Sequence, residues 1–194
     1  MEQSSVSAVE KPGLSATWPR RYTVVLLFAL ATALCYIDRV NISIAIIPLA
    51  QDEGYGAAAR GLVLSSFFWG YIWLQLPGGW MADRFGGKRV LAAGVALWSI
   101  ATFLTPPAAN ISFGMLLLTR VLLGAGEAVN FPAVHSLAAR WTIASERARA
   151  ISLHLSGVSL GTVVALLLSP MLVLRFGWPS VFARRSHAPS LLQT

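Results

Sequence analysis

Charge is scarce in this chain. Only 12% of its 194 residues are Asp, Glu, Lys or Arg, about half the roughly 25% of an average soluble chain. That shortage argues against a soluble domain. Cysteine is scarcer still. Cys35 stands alone, so no intrachain disulfide forms and cysteine gives no redox compartment. With 3 His and no CxxC pair, no metal site is expected, and no cofactor. Acidic residues number 8 against 15 basic ones, a formal charge of +7. In a soluble protein that balance would suggest nucleic acid. Here the basic residues fall between apolar blocks, so no nucleic-acid partner is expected. The polar start, Met1 to Pro19, has no short apolar run with a small-residue cleavage site, so it does not read as a signal peptide. Glu2 and Glu10 weigh against a transit peptide, which is acid-poor.

What is abundant is apolar surface. The chain is 56% hydrophobic, with 7 Trp and 9 Phe, and its mean hydropathy is +0.64. Five apolar blocks run from about Tyr22 to Leu49, Gly61 to Ala82, Val90 to Ala109, Phe113 to Ala138, and Ala148 to Leu174. At about 1.5 Å per residue each reaches the roughly 30 Å hydrocarbon core. The predicted class is an all-α, multi-pass membrane protein with about five transmembrane helices in a lipid bilayer. The organisation reads as a polar cytoplasmic leader over 1–21, a membrane domain over 22–182, and a tail over 183–194.

The connections set the orientation. Arg20 and Arg21 precede block one, Arg84, Lys88 and Arg89 join blocks two and three, and Arg140, Arg147 and Arg149 join blocks four and five. The intervening connections hold only Arg60, and then no Lys or Arg around Pro106 and Pro107. By the positive-inside rule the N-terminus is cytoplasmic. Arg175, Arg184 and Arg185 at the chain end break the alternation.

Asp38, Arg39, Arg120 and Glu127 lie inside apolar blocks, where ionisable groups are costly and usually functional. Arg120 and Glu127 are seven residues apart and share a helix face, with Asn130 continuing it and Gly124 leaving room between. Asp38 and Asn41 share a face, with Tyr36, Arg39 and Ser43 beside them. By helix rise, Arg39 lies about 26 Å from Tyr22, while Arg120 and Glu127 lie about 10 and 21 Å from Phe113 on the opposite side. Two helices thus bring both signs of charge to one level. An arginine fork suits a carboxylate or phosphate, and a carboxylate in low dielectric can exchange protons near neutral pH. An anion-plus-proton site is one reading. Structural ion pairs, Asp38–Arg39 and Arg120–Glu127, are the other.

A second cluster, GGWMADRFGGKRVL from Gly78 to Leu91, reads as a tight charged turn in which Asp83 caps the next helix or meets a neighbouring helix end. Gly157 and Gly161 form a GxxxG suited to close helix packing. Pro77, Pro132 and Pro170 are candidate kinks. His135 and His154 read as hydrogen-bonded packing residues. No catalytic triad, P-loop or dinucleotide fingerprint is found, so no catalytic residue and no enzyme are expected.

The run Gly79-Trp-Met-Ala-Asp83-Arg84-Phe-Gly86-Gly-Lys88-Arg89 resembles the loop between helices two and three of the major facilitator superfamily. Arg120-Val-Leu-Leu-Gly124-Ala-Gly126 resembles its helix-four motif. Tyr36-Ile37-Asp38-Arg39-Val40-Asn41-Ile42-Ser43, with Glu127, Asn130, Phe131 and Pro132, is similar to the anion:cation symporter branch. That branch includes sugar-acid, vesicular glutamate, sialic acid and plant organellar phosphate/anion transporters. Ser65 to Tyr71 leans towards the plant type. The resemblance implies twelve helices in two halves, alternating access, and a small anion (phosphate, carboxylate or sugar acid) moved with H+ or Na+. It implies substrate contacts from Arg39, Tyr36, Asn41, Arg120 and Asn130, coupling at Asp38 and Glu127, and a conformational latch of Gly79, Asp83, Arg84, Gly86, Lys88 and Arg89. The membrane is a plasma or an organelle membrane. The resemblance stops near Phe182, so the chain reads as the N-terminal half truncated before helix six, with a C-terminal half as missing partner. A non-transporting protein, inactive or associated with full-length relatives, is the competing expectation.

Overall fold

A computed structural model describes residues 20–182, which form six α-helices and one short 3-10 helix. The tail over 183–194, and the leader up to residue 19, lie outside the described residues. The helices are α1 (Arg20–Asp52), α2 (Ala57–Phe85), α3 (Gly87–Ile111), α4 (Phe113–Ala128), α5 (Asn130–Trp141) and α6 (Arg147–Phe176), followed by the 3-10 helix Trp178–Val181. Among the described residues, four stretches are long and apolar enough to cross a bilayer: Tyr22–Asp52, Gly87–Ile111, Phe113–Trp141 and Arg147–Phe176. The expected fifth, α2, has 29 residues and sufficient length. Its Ser65, Ser66 and Gln75 and its Trp and Tyr residues dilute its hydropathy.

The chain turns tightly. Only Ser112 separates α3 from α4, and its side chain caps α4 by accepting from the Met115 N–H at 3.2 Å. The expected loop around Pro106 and Pro107 is therefore helix. A proline removes one intrahelical bond, a loss tolerated close to a helix end. The charged turn expected over Gly78–Leu91 is also mostly helical. Only Gly86, at φ 90°, leaves the helical path between α2 and α3, a backbone state that glycine adopts without penalty.

The fourth apolar block divides at Val129 into α4 and α5. Pro132 explains the division. It has no N–H for the Ala128 carbonyl, and its ring crowds that carbonyl.

Helices pair by backbone approach at glycine. Gly70 of α2 lies against the Val121 carbonyl, and Gly124 of α4 against the Phe67 carbonyl. Gly126, on another side of α4, packs on Trp98 and Gly94 of α3. Gly157 and Gly161 of α6 lie on the carbonyls of Ala29 and Ala33 of α1, as the GxxxG spacing predicts. The space expected at Gly124 is thus filled by α2. An apolar groove of about 680 Å3 runs between α1 and α3, lined by Leu27, Leu34, Leu91, Val95 and Trp98 among others.

The two ends of the bundle differ in charge. At one end Arg140 Nη2 donates to the Asp83 carbonyl at 3.5 Å, Arg147 Nη2 donates to the Ala139 carbonyl at 3.3 Å, and Arg84 stacks on Trp80 at 5.1 Å. At the other end Trp178 Nε1 donates to Asp52 Oδ2 at 2.9 Å, and Tyr55 meets Phe113 edge-on at 5.1 Å. Between these ends the exposed surface is apolar, with Trp73 and Leu76 of α2 at 80% and 86% exposure.

Candidate functional site

The centre of the bundle holds Arg39, Arg120 and Glu127. Arg39 lies on α1, and Arg120 and Glu127 lie on α4. Arg39 Nε donates to Glu127 Oε2 at 2.7 Å, and Glu127 is fully buried. This is an inter-helix pair. Neither local pair, Asp38–Arg39 or Arg120–Glu127, forms an ion pair among the described residues. Geometry gives the reason. Adjacent helical residues point about 100° apart, and two turns separate residues i and i+7 by about 10 Å.

Three rings surround the Arg39 guanidinium. Its carbon lies 4.9 Å from the Tyr36 ring centre, 4.9 Å from Phe67 and 4.7 Å from Tyr71. Phe67 and Tyr71 are one turn apart on α2 and stack at 5.6 Å. Aromatic faces attract a cation that has lost its water, so the cage offsets part of the desolvation of Arg39. The Arg120 guanidinium lies 5.7 Å from the same Phe67 ring. Arg120 is 1% exposed, and its Nε and Nη1 have no hydrogen-bond partner. Glu127 Oε1 is likewise buried without one.

Asp38 faces a different helix. Thr102 of α3 donates to its Oδ2 at 3.2 Å. It remains within electrostatic range of Arg120 and Glu127. The structure thus groups Tyr36, Asp38, Arg39, Arg120 and Glu127, as expected from helix rise.

Asn41 and Asn130 are engaged elsewhere. Asn41 Nδ2 donates to the Val181 carbonyl at 3.1 Å, and Ser169 of α6 donates to Asn41 Oδ1 at 2.5 Å. The amide therefore ties α1 to α6 and to the 3-10 helix rather than facing Arg39. Asn130 Nδ2 donates to Thr32 Oγ1 at 3.0 Å. Sequence reasoning missed Phe67, Tyr71 and Thr102. The i,i+4 spacing of Phe67 and Tyr71 was the available signal. Nothing in the sequence singles out Thr102.

The expected latch residues gather at the basic end. Asp83 does not cap α3, whose start has no side-chain cap. Its backbone carbonyl receives Arg140 instead. Gly79 faces Pro132, and Gly87 packs against the Ala133 carbonyl, so this turn rests on α5. Arg84, Lys88 and Arg89 are exposed around Gly86.

Residues 28–183 match the family model described as Major Facilitator Superfamily. The chain is 52% identical over 165 residues to the probable anion transporter 4, chloroplastic, of Oryza sativa subsp. japonica, covering 85% of this chain and 28% of that protein. It is 49% identical to the ascorbate transporter, chloroplastic, of Arabidopsis thaliana, covering 85% and 30%. The chain therefore spans about three-tenths of the length of these curated relatives. Among solved structures, a bacterial homologue of the human lysosomal transporter Spinster, inward-facing and occupied, superposes with a TM-score of 0.77 at 31% identity, covering 84% of this chain and 35% of that one.

Proposed function

The chain belongs to the major facilitator superfamily, and on that premise we propose that it forms the N-terminal part of a transporter that moves a small anion together with H+ or Na+. One observation carries the reading. Two arginines converge on Phe67 with a single carboxylate, Glu127, bonded to one of them.

Charge balance suggests the cycle. With Asp38 and Glu127 ionised, the two arginines are neutralised, and an incoming anion gains little. A proton or sodium ion on Glu127 removes that balance and frees Arg39. The fork of Arg39, with the unpartnered Arg120 donors, then receives the anion. Loss of the cation lets Glu127 reclaim Arg39 and expel the anion. Arg39 is thus the substrate ligand, Arg120 a second ligand and organiser, Glu127 the coupling carboxylate and Asp38 its companion. Tyr36 backs Arg39. Gly79, Asp83, Arg84, Gly86, Lys88 and Arg89 serve as a latch, locking the basic end against α5 during alternating access.

Relatives named for anion and ascorbate transport, both chloroplastic, support organic or inorganic anions as substrates and an organelle membrane as location. The basic end, with the N-terminus, is assigned to the cytoplasmic side. No enzymatic role is proposed.

The test is binding by the purified chain in lipid nanodiscs. Radiolabelled phosphate and ascorbate are titrated against wild type, Arg39→Gln and Arg120→Gln. Saturable binding of either anion that both substitutions abolish supports the site. Binding that survives both at wild-type affinity removes it.

A further inference from the structure

A second buried polar group lies nearer the basic end and has no part in the cycle above. Thr32 of α1, Asn130 of α5 and His154 of α6 are all at 1% exposure or less. Asn130 Nδ2 donates to Thr32 Oγ1 at 3.0 Å, and His154 Nδ1 lies 2.8 Å from that same oxygen. The Phe28 carbonyl is farther from Nδ1, at 3.4 Å. With Asn130 donating to it, the Thr32 hydroxyl still has its own hydrogen and a second lone pair for His154 Nδ1, so one oxygen links α5, α1 and α6 in either imidazole tautomer. His154 Nε2 is buried without a partner, so the ring engages its neighbours through one nitrogen.

The position of this group matters more than its presence. Asn130 is the first residue of α5, just past the break at Val129 that Pro132 imposes. Glu127 closes the other side of that break, three residues earlier. On α1, Thr32 precedes Arg39 by seven residues, two turns along the same face. Two cross-links therefore join α1 to the α4–α5 joint, Arg39–Glu127 above it and Thr32–Asn130 below it. A helix freed of its continuous hydrogen-bond ladder can swivel at the break. The lower cross-link removes that freedom, and His154 holds the lower cross-link to α6.

We infer that His154 is a positioning residue: through Thr32 and Asn130 it fixes the α4–α5 break and so sets Glu127 against Arg39. The inference deepens the reading of that pair as the coupling site. Around Glu127 stand Asp38, Arg39 and the Cys35 thiol from α1 and Arg120 from its own helix, with Tyr71 of α2 beside Arg39. His135 faces His154 from α5, ring centres 6.4 Å apart.

The test reads the pair directly. The full chain, with arginine labelled at Nε with nitrogen-15, is placed in nanodiscs, and hydrogen exchange of the Arg39 Nε–H is followed by NMR. Its resonance is assigned by its loss in Arg39→Lys. Thr32→Val and His154→Leu keep volume and remove the bonds. Each is expected to speed exchange about tenfold, while His154→Asn, which keeps an acceptor near the Nδ1 position, stays near wild type. Trp178→Phe removes the bond to Asp52 at the far end of α1 without touching the group. It is expected to lower the melting temperature and leave Arg39 exchange unchanged. Unchanged exchange in Thr32→Val and His154→Leu, alongside acceleration in Glu127→Gln, overturns the inference. So does equal acceleration in Trp178→Phe, which reduces the effect to general loosening, or in His154→Asn, which removes the hydrogen bond from the account. His154→Phe, which also lacks a ring nitrogen, replaces His154→Leu if that variant does not fold. Because no anion is added, failure here is separate from failure of the transport reading.

Discussion

Arg39 and Arg120 share one aromatic ring. Their guanidinium carbons lie 4.9 and 5.7 Å from the centre of Phe67. Two like charges stay together in a region of low dielectric only if something between them is attractive to both. Phe67 and the Glu127 carboxylate supply that attraction from different sides. Phe67→Leu keeps an apolar side chain and removes the ring face. We expect it to destabilise the chain by about 1–2 kcal/mol and to weaken anion binding, read by SDS titration and by nanodisc binding.

The Arg39–Glu127 contact is expected to show strong coupling. Removing one partner leaves a buried charge uncompensated, at a cost of about 3–5 kcal/mol. Glu127→Gln and Arg39→Gln singly are therefore each expected to cost more than half of what they cost together. A double-mutant cycle in unfolding free energy measures this. Additive effects would mean that the two side chains do not meet in the bilayer.

Glycine substitutions are expected to separate by position. Gly124→Ala drives a methyl into the Phe67 carbonyl, so α2 and α4 must part. Nothing lies within 4 Å of a methyl at Gly114, and alanine there gains up to about 1 kcal/mol of helix propensity. Thermal unfolding in detergent should fall sharply for Gly124→Ala and hold or rise for Gly114→Ala.

The closing segment is expected to depend on one polar bond. Trp178→Phe keeps the ring in its cluster with Ile42, Leu49 and Leu116 and removes the N–H that reaches Asp52. A loss of about 1 kcal/mol follows from one net hydrogen bond, measured by SDS titration. Asp52→Asn, which keeps an acceptor, is expected to lose less.

Topology gives a fifth check. The native thiol, Cys35, is 1% exposed and should stay silent to an impermeant maleimide. Lys88→Cys and Arg140→Cys should then label from one side of a vesicle, and Asp52→Cys from the other. Labelling of Lys88→Cys and Asp52→Cys from the same side would overturn the assigned orientation.

Much of this was legible in the residues alone. Apolar block length marked the helices, and the rise per residue brought Arg39 level with Arg120 and Glu127. The pairing was not legible, because Arg39 had a sequence neighbour of opposite charge in Asp38, and only the packing of α1 on α4 decides between partners. The family resemblance implied Asn41 as a ligand. Its engagement by Ser169 and Val181 depends on where α6 ends, which spacing does not encode. The division at Val129 matches the candidate kink at Pro132, although the apolar continuity of the fourth block marks no helix end there.

The glycine contacts have a mechanical consequence. Where backbone rests on backbone, as between α2 and α4 or between α1 and α6, no flexible side chain lies between to absorb shear. Each couple behaves as one stiff plank. The contacts from α1 to α2 and to α5 are few by comparison and run through side chains. Any change of shape in this bundle must then be a tilt of plank against plank, with Arg39 and Glu127 lying on the seam.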